Sequence, residues 1–90
     1  MAQLIKTIGI TKEVIPNDNK FFTLEELQEA VGGIIEFIYL PENKIMIVNE
    51  EGEFLRLPLN REATRIIRET GTGGCYIVGD VLIINESEIE

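Results

Sequence analysis

Apolar positions along the chain fall into short alternating or continuous runs, a pattern more typical of β-strands than of long helices. In the first run, Leu4, Lys6 and Ile8 alternate with Ile5, Thr7 and Gly9, which predicts a first strand, and the second run covers residues 12–15 and ends at Pro16. Because proline lacks the N–H that a sheet ladder needs, the second strand is predicted to stop there. A polar turn over residues 17–20 follows.

A helix is predicted after this turn, because start and stop signals occur at the right spacing. Thr23 and Glu26 form a capping box, in which each side chain accepts a hydrogen bond from the other residue's backbone N–H. Gly32 is placed to end the helix in the left-handed conformation. Between these residues one helix face is apolar, at Leu24, Leu27, Ala30 and Val31.

An antiparallel meander of three strands is predicted for the middle of the chain. Residues 34–40 form a strongly apolar run, and residues 44–49 return after a turn at 41–43 that contains proline and asparagine. A second turn at residues 50–52 leads to a third strand over residues 54–57.

A second helix is predicted after Pro58. Asn60 is its expected N-cap, and Gly71 is its expected stop. Its buried face is predicted to comprise Ala63, Ile66 and Ile67.

The end of the chain predicts a hairpin and an acidic tail. Strands at residues 75–78 and 81–84 flank Gly79 and Asp80, a two-residue loop with glycine first, as a type II′ turn prefers. The tail over residues 85–90 is expected to fray. The whole pattern predicts an α+β fold as a single domain over residues 1–90: a mainly antiparallel sheet of about six or seven short strands, with hairpins and two short helices.

Composition restricts the chemistry that this chain can support. It has no histidine, which removes the most common general base and most zinc sites. Cys75 is the only cysteine, so no intramolecular disulfide can form, as expected in a reducing compartment. No apolar run approaches the length of a membrane span. We therefore expect a cytoplasmic protein with no metal, no cofactor, no membrane partner and no enzymatic activity.

The charge balance limits the possible partners. The chain has 8 basic and 16 acidic residues, for a formal net charge of −8. This balance opposes direct binding to nucleic acid, whose phosphates repel the protein as a whole. The thin core of so small a domain favours a homo-oligomer. Glu36, within an otherwise apolar strand, is expected to face either solvent or a subunit interface.

Four separated fragments, residues 31–36, 48–52, 57–64 and 77–82, have counterparts in the same order in one family. In them the chain resembles a family of small domains of unknown function found in phages, plasmids and other mobile elements. The resemblance implies no established reaction or catalytic residue. It does imply a mobile-element origin and interference with a host process, in the host cytoplasm.

The clearest candidate for chemistry is a group of cations in this acidic chain. All four arginines lie within 13 residues, and the last three have i, i+4, i+7 spacing on one helix face. Guanidinium groups offer paired donors that suit phosphate or carboxylate. The predicted ligand-binding residues are Asn60, Arg61, Thr64, Arg65 and Arg68, with Arg56 completing the group of arginines.

Ordinary surface pairing is the alternative explanation of this pattern. Glu62 and Glu69 both have helix-neighbour spacing to Arg65, which predicts ion pairs worth only a few tenths of a kcal/mol. The glycine-rich segment 71–74 lacks the lysine and the following helix of a Walker loop, so a flexible connector is expected there.

Two functional hypotheses follow from these observations. The first is a non-enzymatic binding protein that captures, and so sequesters, an anionic nucleotide-derived small molecule to counter a host defence. The second is an acidic protein–protein inhibitor that presents Glu50, Glu51, Glu53 and the C-terminal glutamates to a basic host protein. An enzyme would have to use carboxylates or Cys75 without any histidine, and we rank it below both.

Overall fold

The structure is a computed structural model and describes residues 2–72 and 76–89. Within these residues the chain forms five strands, two α-helices and a 3₁₀ turn. In chain order they are β1 (Ala2–Ile5), β2 (Thr11–Val14), α1 (Leu24–Val31), β3 (Ile35–Leu40), β4 (Lys44–Asn49), α2 (Arg61–Glu69), β5 (Val81–Asn85) and the 3₁₀ turn Glu86–Glu88.

The strands form one sheet in the order β2-β1-β5-β4-β3, and every neighbouring pair is antiparallel. The predicted α+β class and its two short helices are confirmed. The described residues contain five strands, however, so the predicted count of six or seven is wrong. The last strand in the sequence, β5, lies at the centre of the sheet, where it pairs with both β1 and β4.

The two helices lie on opposite faces of this sheet, each over its own apolar cluster. Because side chains alternate along a strand, β4 and β5 contribute to both clusters. The α1 cluster includes Leu27, Val31, Ile45, Ile47, Leu82 and Ile84. The α2 cluster includes Ala63, Ile67, Met46, Val48 and Val81. Ile66, predicted to be buried, is half-buried beside the second cluster.

The first helix begins and ends where its sequence signals predict. Thr23 Oγ1 accepts a hydrogen bond from Glu26 N at 3.2 Å, and Glu26 Oε1 accepts one from Thr23 N at 3.0 Å. Gly32 follows the helix with a φ of 80°, in the left-handed region. Local chemistry therefore sets where this helix begins and ends.

The prediction of a third meander strand over residues 54–57 is wrong. Residues 50–56 instead form a series of turns, in which Leu55 N donates to Glu51 O at 2.8 Å and Leu57 N donates to Gly52 O at 3.0 Å. These local bonds use backbone groups that a sheet ladder would need. Arg56 has a φ of 57°, which lies outside the extended region.

The predicted hairpin at Gly79 and Asp80 is also wrong. Val78 makes only an isolated bridge, to Leu59, while β5 pairs with β1 and β4. Gly79 does have a positive φ of 80°, but the chain passes through it into the central strand. Cys75, with Gly73 and Gly74 of the predicted glycine-rich connector, lies outside the described residues.

The acidic tail is part of the fold as far as Ile89, contrary to the prediction that it frays. Phe22 N donates to Glu88 O at 2.7 Å, and Phe22 and Ile89 form an isolated parallel bridge. Asn85 N donates to Glu88 Oε1 at 3.0 Å. The tail is therefore held against the segment that leads into α1, and Glu90 lies outside the described residues.

Candidate functional site

The predicted cap residue Asn60 fixes the start of α2 and joins it to the sheet. Its Oδ1 accepts a hydrogen bond from Ala63 N at 3.0 Å, which confirms the cap. Its Nδ2 donates to Ile5 O at 3.0 Å and to Gly79 O at 2.9 Å. The residue is only 1% exposed, so this amide serves the fold and has no polar atom directed at a ligand.

Thr64, also predicted to bind a ligand, has its hydroxyl occupied by the backbone. Thr64 Oγ1 donates to Asn60 O at 2.7 Å and accepts from Ile77 N at 2.9 Å. These bonds hold the segment after residue 75 against the first turn of α2. The side chain contributes shape to the surface above it rather than a free hydrogen-bonding group.

An open groove with a volume of about 890 Å³ runs along the outer surface of α2, and we call it the α2 groove. Four of the five predicted ligand-binding residues line it, and the buried Asn60 does not. The lining residues that the sequence predicted are Arg61, Thr64, Arg65 and Arg68. Those it did not predict are Leu59, Glu69 and Tyr76.

Arg65, in the middle of the three, is neutralised by its neighbours on the helix. Its Nε donates to Glu62 Oε1 at 2.9 Å, its Nη2 donates to Glu62 Oε2, and its Nη1 donates to Glu69 Oε1 at 2.6 Å. The hydrogen bonds from Arg65 lower the pKa of the Glu62 carboxyl below its usual range. The same pairing raises the pKa of the Arg65 guanidinium. The surface pairing expected from the spacing is therefore present at this arginine.

Arg61 and Arg68 differ from Arg65, because neither makes an ion pair or a side-chain hydrogen bond with any residue in the described ranges. Both side chains are exposed, and both line the α2 groove. They lie seven positions apart, so their Cα atoms are separated by about 10 Å along the helix axis. The groove therefore offers two available cations, one near each end of α2.

Leu59 and Tyr76 form an apolar side of the same groove, with 45% and 52% of their surfaces exposed. Backbone pairing brings them together: Asn60 N donates to Ile77 O at 2.8 Å, next to the bridge between Leu59 and Val78. Sequence analysis missed both residues. They lie 17 positions apart, on either side of α2, and no local periodicity links them.

The fourth arginine, Arg56, is exposed and does not line the groove. In the described part of the chain, no three or more acidic or cysteine side chains are arranged to hold a metal ion. None of the helices formed by residues 2–72 and 76–89 has the length and apolar character needed to cross a membrane.

Comparison with curated proteins and with solved structures gave no match. A family model does match, over residues 5–90, and its description is "Domain of unknown function (DUF3846)". The resemblance to a family of unknown function is thereby confirmed, while a mobile-element origin stays a prediction. The match spans nearly the whole chain, and the protein therefore belongs to the DUF3846 family.

Proposed function

We propose that this protein binds a small anionic organic molecule in the α2 groove and does not transform it. The proposal rests on one observation: the exposed arginines Arg61 and Arg68 line the same groove as the exposed Leu59 and Tyr76. Guanidinium groups stay protonated at neutral pH and bind phosphate or carboxylate, but they do not act as general acids or bases there. The residues that line the groove therefore suit the binding of an anion rather than acid–base catalysis.

The position of Arg61 supports a role other than stability. It is the first residue of α2, where the positive end of the helix dipole disfavours a cation. An acidic residue there would stabilise the helix by about 0.3–1 kcal/mol relative to a neutral one. A bound anion would instead interact favourably with both the dipole and the guanidinium.

The apolar side of the groove favours a ligand with a flat ring. The phenol ring of Tyr76 can stack on an aromatic body, and Leu59 adds an apolar contact. A groove of about 890 Å³ falls within the size range of small-molecule sites. A nucleotide-like molecule combines such a ring with phosphate. The mobile-element resemblance suggests an extension of this proposal, in which a homo-oligomer captures such a molecule in a host cell and thereby counters a defence.

Calorimetric titration with ATP and AMP tests this proposal. The native protein is expected to bind one of them, and the double variant Arg61→Gln/Arg68→Gln is expected to bind it at least about tenfold more weakly, because two charge-assisted contacts are lost. Arg56→Gln is the matched control, since it removes an exposed arginine that does not line the groove. Equal loss in the control would contradict the proposal, and so would the absence of heat with both nucleotides and with the ring phosphates described below.

A second candidate function is the acidic protein–protein inhibitor, and one observation favours it. The turns at residues 50–56 present Phe54 with 84% of its surface exposed, beside Glu51 and Glu53. An exposed aromatic residue within acidic surroundings suits an apolar pocket with a basic rim on a partner. A pull-down from host lysate should then retain a partner that is released by salt and lost with Phe54→Ser. Equal retention by Phe54→Ser would exclude this role.

A further inference from the structure

We infer that the ligand of the α2 groove carries two separate anionic groups, one at each end of an apolar or aromatic body. The inference rests on the proposed function, because it specifies the class of molecule that the same groove would bind. Its basis is the order of charges along the helix: an available cation, a neutralised cation and a second available cation, at Arg61, Arg65 and Arg68.

The neutralised middle position is the first step. Arg65 uses its Nε, Nη1 and Nη2 for three hydrogen bonds to Glu62 and Glu69, so its positive charge is already matched by two carboxylates. An anion placed beside it would be repelled by these carboxylates or would have to displace one of them. An anion is therefore expected to bind less favourably in the middle of the groove, beside Arg65, than beside Arg61 or Arg68.

The distance between the ends is the second step. Arg61 and Arg68 are seven residues apart on the helix, or about 10 Å along its axis. To share a single phosphate or carboxylate, both side chains would have to lean towards the middle of the groove, where Glu62 and Glu69 already pair with Arg65. Two anionic groups on one molecule can each occupy one end.

The character of the region between the ends is the third step. Leu59 and Tyr76 supply apolar surface, and the hydroxyl of Thr64 is already bonded to backbone. The carboxylate of Glu69 also lines the groove, so a continuous chain of negative charge would be repelled there. Two anionic ends joined by a flat or apolar body match this lining better than a linear polyphosphate does.

A rigid rod with a phosphate at each end provides a direct probe. We would titrate the protein by calorimetry with the bisphosphate of para,para′-biphenol, with the monophosphate of the same biphenol, and with the shorter bisphosphate of hydroquinone. The biphenol bisphosphate is expected to bind about tenfold more tightly than the monophosphate, because the second anion binds at a high effective concentration. The hydroquinone bisphosphate, whose two phosphates are closer together, is expected to bind more weakly than the biphenol bisphosphate.

Single variants then separate the two ends. Arg61→Gln and Arg68→Gln are each expected to reduce the affinity for the biphenol bisphosphate to about that for the monophosphate, while Arg56→Gln leaves the preference intact. If both biphenol compounds bind equally well and the binding depends on Arg61 or Arg68, the inference is wrong and the proposed function stands. If none of the three probes binds, the inference is overturned, and failure with ATP and AMP as well would overturn the proposed function.

Discussion

The side chain of Asn60 donates to two carbonyl groups and accepts from one N–H while being almost wholly buried. Its residue type predicts the acceptor role, because asparagine is a favoured N-cap. The two donor bonds, to Ile5 O and Gly79 O, depend on tertiary structure and have no local signal. The cap was therefore predictable from the sequence, and the link between α2 and the sheet was not.

Asn60→Asp separates these two roles. The introduced carboxylate keeps the oxygen that caps the helix but has no hydrogens for the carbonyl groups of Ile5 and Gly79. We expect a loss of about 3 kcal/mol in the free energy of unfolding, because a buried charge then faces two unsatisfied acceptors. Urea denaturation measures the loss, with the exposed Asn43→Asp as control. A change within about 0.5 kcal/mol for both variants would contradict the role of the donor bonds.

Arg65 and Glu62 give a prediction about protonation. The hydrogen bonds from Arg65 lower the pKa of the Glu62 carboxyl, so Arg65→Gln should raise that pKa towards its ordinary value. Because the folded-state pKa is the lowered one, the stabilisation from this pair is present above the ordinary pKa. It is lost as the pH falls through the lowered value. An NMR titration of the side-chain carboxyl carbon measures this, and an unchanged midpoint in the variant would refute it.

The double variant Glu62→Gln/Glu69→Gln tests whether these carboxylates withhold Arg65 from a ligand. Releasing its guanidinium should raise the affinity for a monophosphate severalfold, because the middle of the α2 groove then carries an available cation. Removing two negative charges also raises the affinity through the overall field. Glu25→Gln/Glu29→Gln, on the helix across the sheet, controls for that effect. Equal gains in both double variants would argue against a local role.

The helices and strands that could be predicted from the sequence are those defined by residues close together in the chain. The box at Thr23 and Glu26 defines α1 within a few residues, and the i, i+4, i+7 spacing places three arginines on one helix face. Phe54 to Leu57 resembles a strand by composition, yet a competing set of turn hydrogen bonds forms there. The central place of β5, like the approach of Tyr76 to Leu59, depends on contacts between distant parts of the chain.

In the second helix the dipole opposes a cation at Arg61 and favours one at Arg68, whereas the proposed anion binding favours a cation at both positions. Arg61→Gln removes a cation from the positive end of α2, and Arg68→Gln removes one from the negative end. The first is expected to raise the free energy of unfolding and the second to lower it, each by about 0.3–1 kcal/mol. Both are expected to weaken anion binding. Stability effects of the same sign would show that the helix dipole does not act at these positions.

At the scale of the whole molecule, a net charge of −8 opposes the approach of any anion. The two available arginines act at short range, whereas the acidic residues on the far side of the sheet act at long range. Salt screens the distant charges first, because the Debye length falls from about 30 Å at 0.01 M to about 10 Å at 0.1 M and about 3 Å at 1 M.

Affinity for the biphenol bisphosphate is therefore expected to pass through a maximum as salt is raised from about 0.01 M to about 1 M. The initial rise reflects screening of the repulsion, and the later fall reflects weakening of the contacts with Arg61 and Arg68. Titrations over this range measure the profile, and Glu25→Gln/Glu29→Gln should reduce the initial rise. A steady fall from the lowest salt would contradict this balance.

The two ends of the segment that contains α2 are joined at one place, where Gly79 N donates to Pro58 O at 2.8 Å beside the bridge between Leu59 and Val78. The outward surface of this helix is therefore separate from the residues that hold it on the sheet. Ala63 and Ile67 are committed to the sheet, whereas positions 61, 65 and 68 can diversify at little cost to the core. We expect relatives that differ at these outward positions to keep the same architecture and, if the proposed binding holds, to accept chemically different ligands.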